Sequence, residues 1–144
     1  EIYGGNTGAS VVQGWAGIPE SYKTLVPCST MDNVLGKRLQ GERVLILVDI
    51  EGAEKMMLDG AKLMLENDPK PIWLVEVVTQ ENQPLGVKIN PNFMSTFQLF
   101  YQNGYEAFNA DANLRPITQE EAYSLSTGEF KAETYNFLFR EAKK

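Results

Sequence analysis

The sequence predicts an α/β domain built on a parallel strand pair, and three features predict it. Val44-Leu45-Ile46-Leu47-Val48 is an unbroken run of β-branched and leucine side chains, the pattern of a strand buried on both faces. Ile72-Trp73-Leu74-Val75-Glu76-Val77-Val78 repeats that pattern around one acid. Between them, residues 52–66 carry apolar side chains at helical spacing. Strand, helix and strand make a βαβ unit with parallel strands and a right-handed crossover.

The remaining elements follow in order. Residues 4–17 are rich in Gly, Ser, Thr and Asn and lack periodicity, so they read as a loop. A short strand is expected over 22–26, stopped by Pro27. Ser29-Thr30-Met31-Asp32 offers N-caps for a short helix to about Leu39, with Gly41 behind it. In the 52–66 helix, Ala53, Met56, Met57, Ala61 and Met64 form the core stripe, and Asn67-Asp68-Pro69 ends it. Asn90-Pro91 reads as cap and first-turn proline of a helix whose Phe93, Phe97, Phe100 and Tyr101 share a core-facing side. Gly104 suits the position after its end. Residues 105–108 form a third strand. Thr118-Gln119-Glu120-Glu121 is a capping box opening a helix to about Ser126, and the alternating Tyr135-Asn136-Phe137-Leu138-Phe139 closes the chain as its last strand.

Composition narrows the chemistry. The chain has 144 residues, enough for a single domain spanning 1–144. Its net charge is −6 and its few basic residues form no stripe, which argues against binding nucleic acid. There is no histidine and one cysteine, Cys28, so His-based nucleophile chemistry and thiolate or imidazole zinc sites are excluded within these residues. Acid–base work falls to carboxylates, lysines and tyrosines, and any metal would be a hard cation. One cysteine, no recognisable signal peptide and no apolar run near ~18 residues predict a cytoplasmic chain with no membrane partner.

The acids worth following end the two strong strands. Asp49 stands at the carboxyl tip of the first, where it either orients a ligand or caps the helix behind it. Glu51 and Glu54 fall in the first helical turn, a favourable place for negative charge worth about 0.3–1 kcal/mol. Glu76 lies in or at the end of an apolar strand, where burial would raise its pKa and suit it to act as a base. Parallel neighbours would bring the tips carrying Asp49 and Glu76 within roughly 5 Å laterally, close enough to share a proton or a divalent cation. Trp15, in a polar loop, either anchors that loop or stacks on an acceptor such as a sugar. Gly4-Gly5-Asn6-Thr7-Gly8-Ala9-Ser10 lacks the Lys-Ser/Thr ending of a phosphate loop and reads as a flexible connection.

Together these residues resemble the FkbM-type methyltransferase family. Val48-Asp49-Ile50-Glu51-Gly52-Ala53-Glu54 matches its strand ending in D-x-E-G-x-E, Leu58-Asp59-Gly60-Ala61 its L-x-G-A, and Leu74-Val75-Glu76 its strand ending in Glu. Tyr3-Gly4-Gly5 through Gly8-Ala9-Ser10, Thr30-Met31-Asp32, Asn103-Gly104-Tyr105 and Asn136-Phe137-Leu138-Phe139 are similar to its flanking elements, so the likeness spans nearly the whole chain. The resemblance implies an S-adenosylmethionine-dependent O-methyltransferase on a Rossmann-like class I sheet, acting on a sugar, polyketide or similar small molecule. It also implies that this chain is the C-terminal half of that sheet, a βαβ parallel core plus a closing strand pair. The Gly-rich turn that holds the cofactor is missing, and the chain starts at Glu1 rather than Met. On this reading Asp49 orients the acceptor hydroxyl, Glu76 takes its proton or binds a cation, and Glu51 supports either. Two other readings use the same residues: a Mg²⁺-dependent hydrolase or phosphoryl-transfer domain, and a non-catalytic α/β module that forms a homodimer through the open edge of the 44–48 strand.

Overall fold

The computed structural model of the chain describes residues 1–5 and 8–143. Its elements are β1 (Ile2–Tyr3), a 3₁₀ turn (Trp15–Gly17), β2 (Lys23–Thr24), α1 (Met31–Leu35), β3 (Leu45–Val48), α2 (Glu54–Asp59), α3 (Lys62–Leu65), β4 (Ile72–Glu76), α4 (Phe93–Gln102), β5 (Tyr105–Asn109), β6 (Pro116–Ile117), α5 (Gln119–Thr127) and β7 (Asn136–Glu141). β1 and β2 pair as a small antiparallel ribbon. The main sheet has the order β3-β4-β7-β5-β6. β3 and β4 are parallel, as the βαβ pattern predicts. β7 runs antiparallel to both β4 and β5, so the last strand lies between two strands of the other direction. The domain is α/β with a mixed sheet and one parallel pair.

Register sorts the side chains onto two faces. Ile46, Val48, Trp73, Val75, Phe137, Phe139, Tyr105 and Ala107 share the face that α4 covers. The α4 side chains Phe93, Phe97 and Phe100 are fully buried there, as their spacing predicts. Phe100 stacks on Phe139 with centroids 3.8 Å apart, and Phe97 meets Phe137 edge-on at 4.9 Å. The cap of α5 forms as expected: Thr118 Oγ1 accepts from the Glu121 N–H, and the Glu121 carboxylate accepts from the Thr118 N–H.

Two sequence expectations are corrected. The 44–48 run is not buried on both faces: Leu45 is 61 % and Leu47 69 % exposed, and Ile72 beside them on β4 is 43 % exposed. β3 is an edge strand, and the buried apolar residues of α2 to α5 all join the core on the opposite face. The 52–66 helix is also not continuous. It breaks at Gly60-Ala61 into α2 and α3, because α1 wedges into the gap. A Cβ on Gly60 would stand 2.9 Å from Thr30 Cβ, the Gly60 carbonyl accepts from the Asp32 N–H, and Asp32 Oδ1 accepts from the Leu63 N–H at 3.1 Å. Asp32 therefore caps α3, while Thr30 caps α1. Met56, expected in the core stripe, is 64 % exposed, while Leu58 of α2 and Leu65 of α3 are buried.

Candidate functional site at the carboxyl edge of the parallel pair

β3 and β4 pair with Val48 opposite Val75. The next residues along, Asp49 and Glu76, are therefore lateral neighbours on strands about 4.8 Å apart. Alternation places both on the sheet face that carries Leu47 and Leu74. The parallel pair thus brings the two strand-end acids together. Asp49 is exposed. Burial pushes the Glu76 carboxyl above the ordinary carboxylate range, and the charges of Asp49 and then Glu51 push it further.

The turn after β3 is held from outside. Glu51 adopts a left-handed backbone (φ 54°), followed by Gly52 at φ 89°. A non-glycine residue in that region costs about 1–2 kcal/mol. The Glu51 carbonyl accepts from Ser10 Oγ at 2.6 Å, and its carboxylate accepts from Trp15 Nε1 at 2.8 Å. Ser10 and Trp15 are each 2 % exposed. The Trp15 ring packs so closely on Gly52 that a Cβ there would lie 2.5 Å from it. With its ring faces covered, Trp15 anchors the loop and aims Glu51. It presents no face on which an acceptor could stack.

Glu54 opens α2 and is 4 % exposed, with Oε1 accepting from the Gly52 N–H at 3.0 Å. Burial raises its pKa against the pull of backbone N–H groups, and the Glu76 charge adds to the rise. Its position in the helical turn was legible from the sequence, but its burial was not. Ser10 carried no sequence signal.

Asp49 and Glu51 line a cleft of about 800 Å³ that also meets Ile2, Met31 and Met57. Glu76 does not line it. The structure therefore divides the expected trio: Asp49 touches both the cleft and Glu76's neighbourhood, and Glu51 is fixed at the cleft wall. Of the Gly4–Ser10 loop, Ser10 pairs with Tyr3 as an isolated bridge, while Asn6 and Thr7 lie outside the described residues. Among the described residues no group of three or more His, Cys, Asp or Glu side chains is placed to hold a metal ion. Among the described residues no helix is long and apolar enough to cross a membrane. No family model, no curated protein and no solved structure matches the chain.

Proposed function

We propose that this chain carries the acceptor side of an S-adenosylmethionine-dependent O-methyltransferase. The observation that supports the reading best is the D-x-E-G-x-E turn at the carboxyl end of β3 with Glu76 beside it, next to a cleft sized for a small molecule. Its acids serve an acceptor hydroxyl. Asp49, on the cleft wall, accepts a hydrogen bond from that hydroxyl and sets its direction; alignment of the attacking oxygen is a large share of such a barrier. Glu76, the lateral neighbour of Asp49 just off the cleft wall, has its pKa raised by burial and by the Asp49 and Glu51 charges. That makes it a stronger base than an ordinary carboxylate and the proton acceptor of this reading. Glu51, held by Trp15 and Ser10, keeps the turn in place and adds negative potential at the cleft.

The described residues do not fit the cofactor's own cradle. A nucleoside cradle of this kind needs a Gly-rich turn behind a strand with open backbone around it. After β3 the single glycine, Gly52, is covered by the Trp15 ring. The reading gives these residues the acceptor alone, a hydroxylated small molecule such as a sugar or polyketide.

The test is methyl transfer from labelled S-adenosylmethionine to a panel of hydroxylated acceptors by the intact protein. Glu76→Gln should lower kcat by about 10²–10⁴-fold with KM little changed, as expected for loss of a general base. A correctly folded Glu76→Gln protein with undiminished kcat removes Glu76 from the chemistry. Absence of methyl transfer to every acceptor overturns the reading.

A further inference from the structure

We infer that the cavity between β5, α5 and the 130–133 segment is a binding site for a small zwitterion, an α-amino acid with an apolar side chain. The cavity holds about 390 Å³, enough for a small molecule. It lies at the carboxyl end of β5, on the same edge of the sheet as Asp49 and Glu76. It occupies the other face. Asn109 pairs with Phe137, and Phe137 with Val75, so all three point toward the α4 side while Glu76 points away. Its walls come from residues 109–133, at the end of the sheet remote from β3, and it shares no lining residue with the proposed acceptor cleft.

The residue that points to a ligand is Asn109. It is 2 % exposed and lines the cavity. The β5–β6 hairpin fixes it there, with the Asn109 N–H donating to the Arg115 carbonyl at 2.8 Å. Its side-chain nitrogen donates to Glu133 Oε2 at 3.2 Å. Its side-chain oxygen accepts from no donor among the described residues. No enclosed polar side-chain atom among those residues lacks a partner, so this oxygen opens into the cavity. A carboxamide oxygen set in a nearly dry wall calls for an N–H or O–H donor.

The charges around that oxygen have two signs. Glu133 Oε1 accepts no hydrogen bond among the described residues, and with the Asn109 oxygen it makes an acceptor pair for an ammonium group. Lys131 has no acid within ion-pair distance among the described residues, which leaves its own ammonium for a carboxylate. Arg115 is already engaged, because Glu121 Oε1 holds its guanidinium at 2.6 Å. The apolar part of the lining is Leu125 and the ring of Phe130, which is 66 % exposed and which a ligand's side chain would cover. A plain amine leaves Lys131 unmatched, and a plain acid leaves Asn109 and Glu133 unmatched. A molecule carrying both groups matches each with its opposite.

The experiment is calorimetric titration of the full chain with L-phenylalanine, with 2-phenylethylamine, which lacks the carboxylate, and with 3-phenylpropionate, which lacks the ammonium. L-Phenylalanine should bind saturably at one site, and each of the other two at least about tenfold more weakly. Lys131→Gln should weaken L-phenylalanine and 3-phenylpropionate about tenfold and leave 2-phenylethylamine unchanged. Glu133→Gln should weaken L-phenylalanine and 2-phenylethylamine about tenfold and leave 3-phenylpropionate unchanged. Lys131 and Glu133 are both exposed, so both variants should keep the wild-type circular dichroism spectrum. No saturable binding of L-phenylalanine or of L-leucine overturns the site. Equal binding of the three probes, or binding indifferent to both variants, overturns the zwitterion. The titration needs neither methyl donor nor acceptor, so its failure is distinct from a failure of the methyl-transfer reading.

Discussion

The two halves of the main sheet hold similar apolar content and treat it in opposite ways. On the face that α4 covers the large rings meet one another: Trp73 and Tyr105 each contact Phe100 edge-on at 5.6 and 5.5 Å, and Phe93 meets Phe137 at 5.9 Å. Around β3 the leucines point into solvent. The first half is closed by α4, while the second presents a face and the acidic turn. Stability belongs to the aromatic half, and the proposed acceptor site to the β3 margin. Hydrophobicity alone does not separate them; coverage by a second layer does.

The largest effect that would break this comparison is in the core. Phe100→Ala removes a ring that is fully buried and stacked on Phe139, and should cost about 3–5 kcal/mol in urea or guanidinium unfolding. Leu45→Ala, on the open face, should stay within about 0.5 kcal/mol. Equal losses at the two positions would erase the distinction between the halves.

Next in size is the turn that joins fold to site. Gly52→Ala meets both a φ of 89° and the Trp15 ring 2.5 Å from the new methyl. The strain and overpacking should together cost roughly 2–4 kcal/mol. The damage should be local. Trp15 is pushed off Gly52 and its emission moves to longer wavelength, while Trp73, fully buried against α4, keeps its own. Loss of the Trp15–Glu51 hydrogen bond would free the Glu51 carboxylate. An unshifted emission spectrum in a folded Gly52→Ala protein would show that the clamp is not what holds the turn.

The sequence displayed the part of this arrangement that is local. Uninterrupted apolar runs gave β3 and β4, the spacing of Phe93, Phe97 and Phe100 gave the buried side of α4, and Thr118 with Glu121 gave the start of α5. Strand ends next to Asp49 and Glu76 placed both acids at one edge once the strands were read as parallel. The long-range part was hidden. A run of aliphatic residues looks the same on a covered strand as on an open one, so the exposure of Leu45 and Leu47 was not visible. The break at Gly60 depends on Thr30 arriving from another part of the chain, and the close packing on Gly52 depends on Trp15 doing the same. β1 and β6 are two residues each, too short for any periodicity.

The smallest effect is one of sign, and it sets the site end against the far end of the molecule. Glu76 holds its proton more tightly in the folded chain than in the unfolded one, first through burial and then through Asp49 and Glu51. Between the ordinary value of 4.5 and its raised folded value, the native state therefore carries more protons, and this contribution to stability falls as pH rises through that window. Glu54 acts in the same direction. Glu121 acts in the opposite one: the Thr118 N–H and the Arg115 guanidinium hold its carboxyl below the usual range. Its contribution is complete above the unfolded value and is lost as pH falls through the lowered folded one. Glu76→Gln should therefore become progressively more stable than the wild type on going from pH 4.5 upward, then level off. Glu121→Gln should be less stable at neutral pH and converge with the wild type in acid. Melting temperatures of the two variants across pH check both slopes. Parallel slopes would mean that the acids beside β3 and β4 feel no more burial or mutual repulsion than a surface capping residue, and the site would lose its claim to a perturbed base.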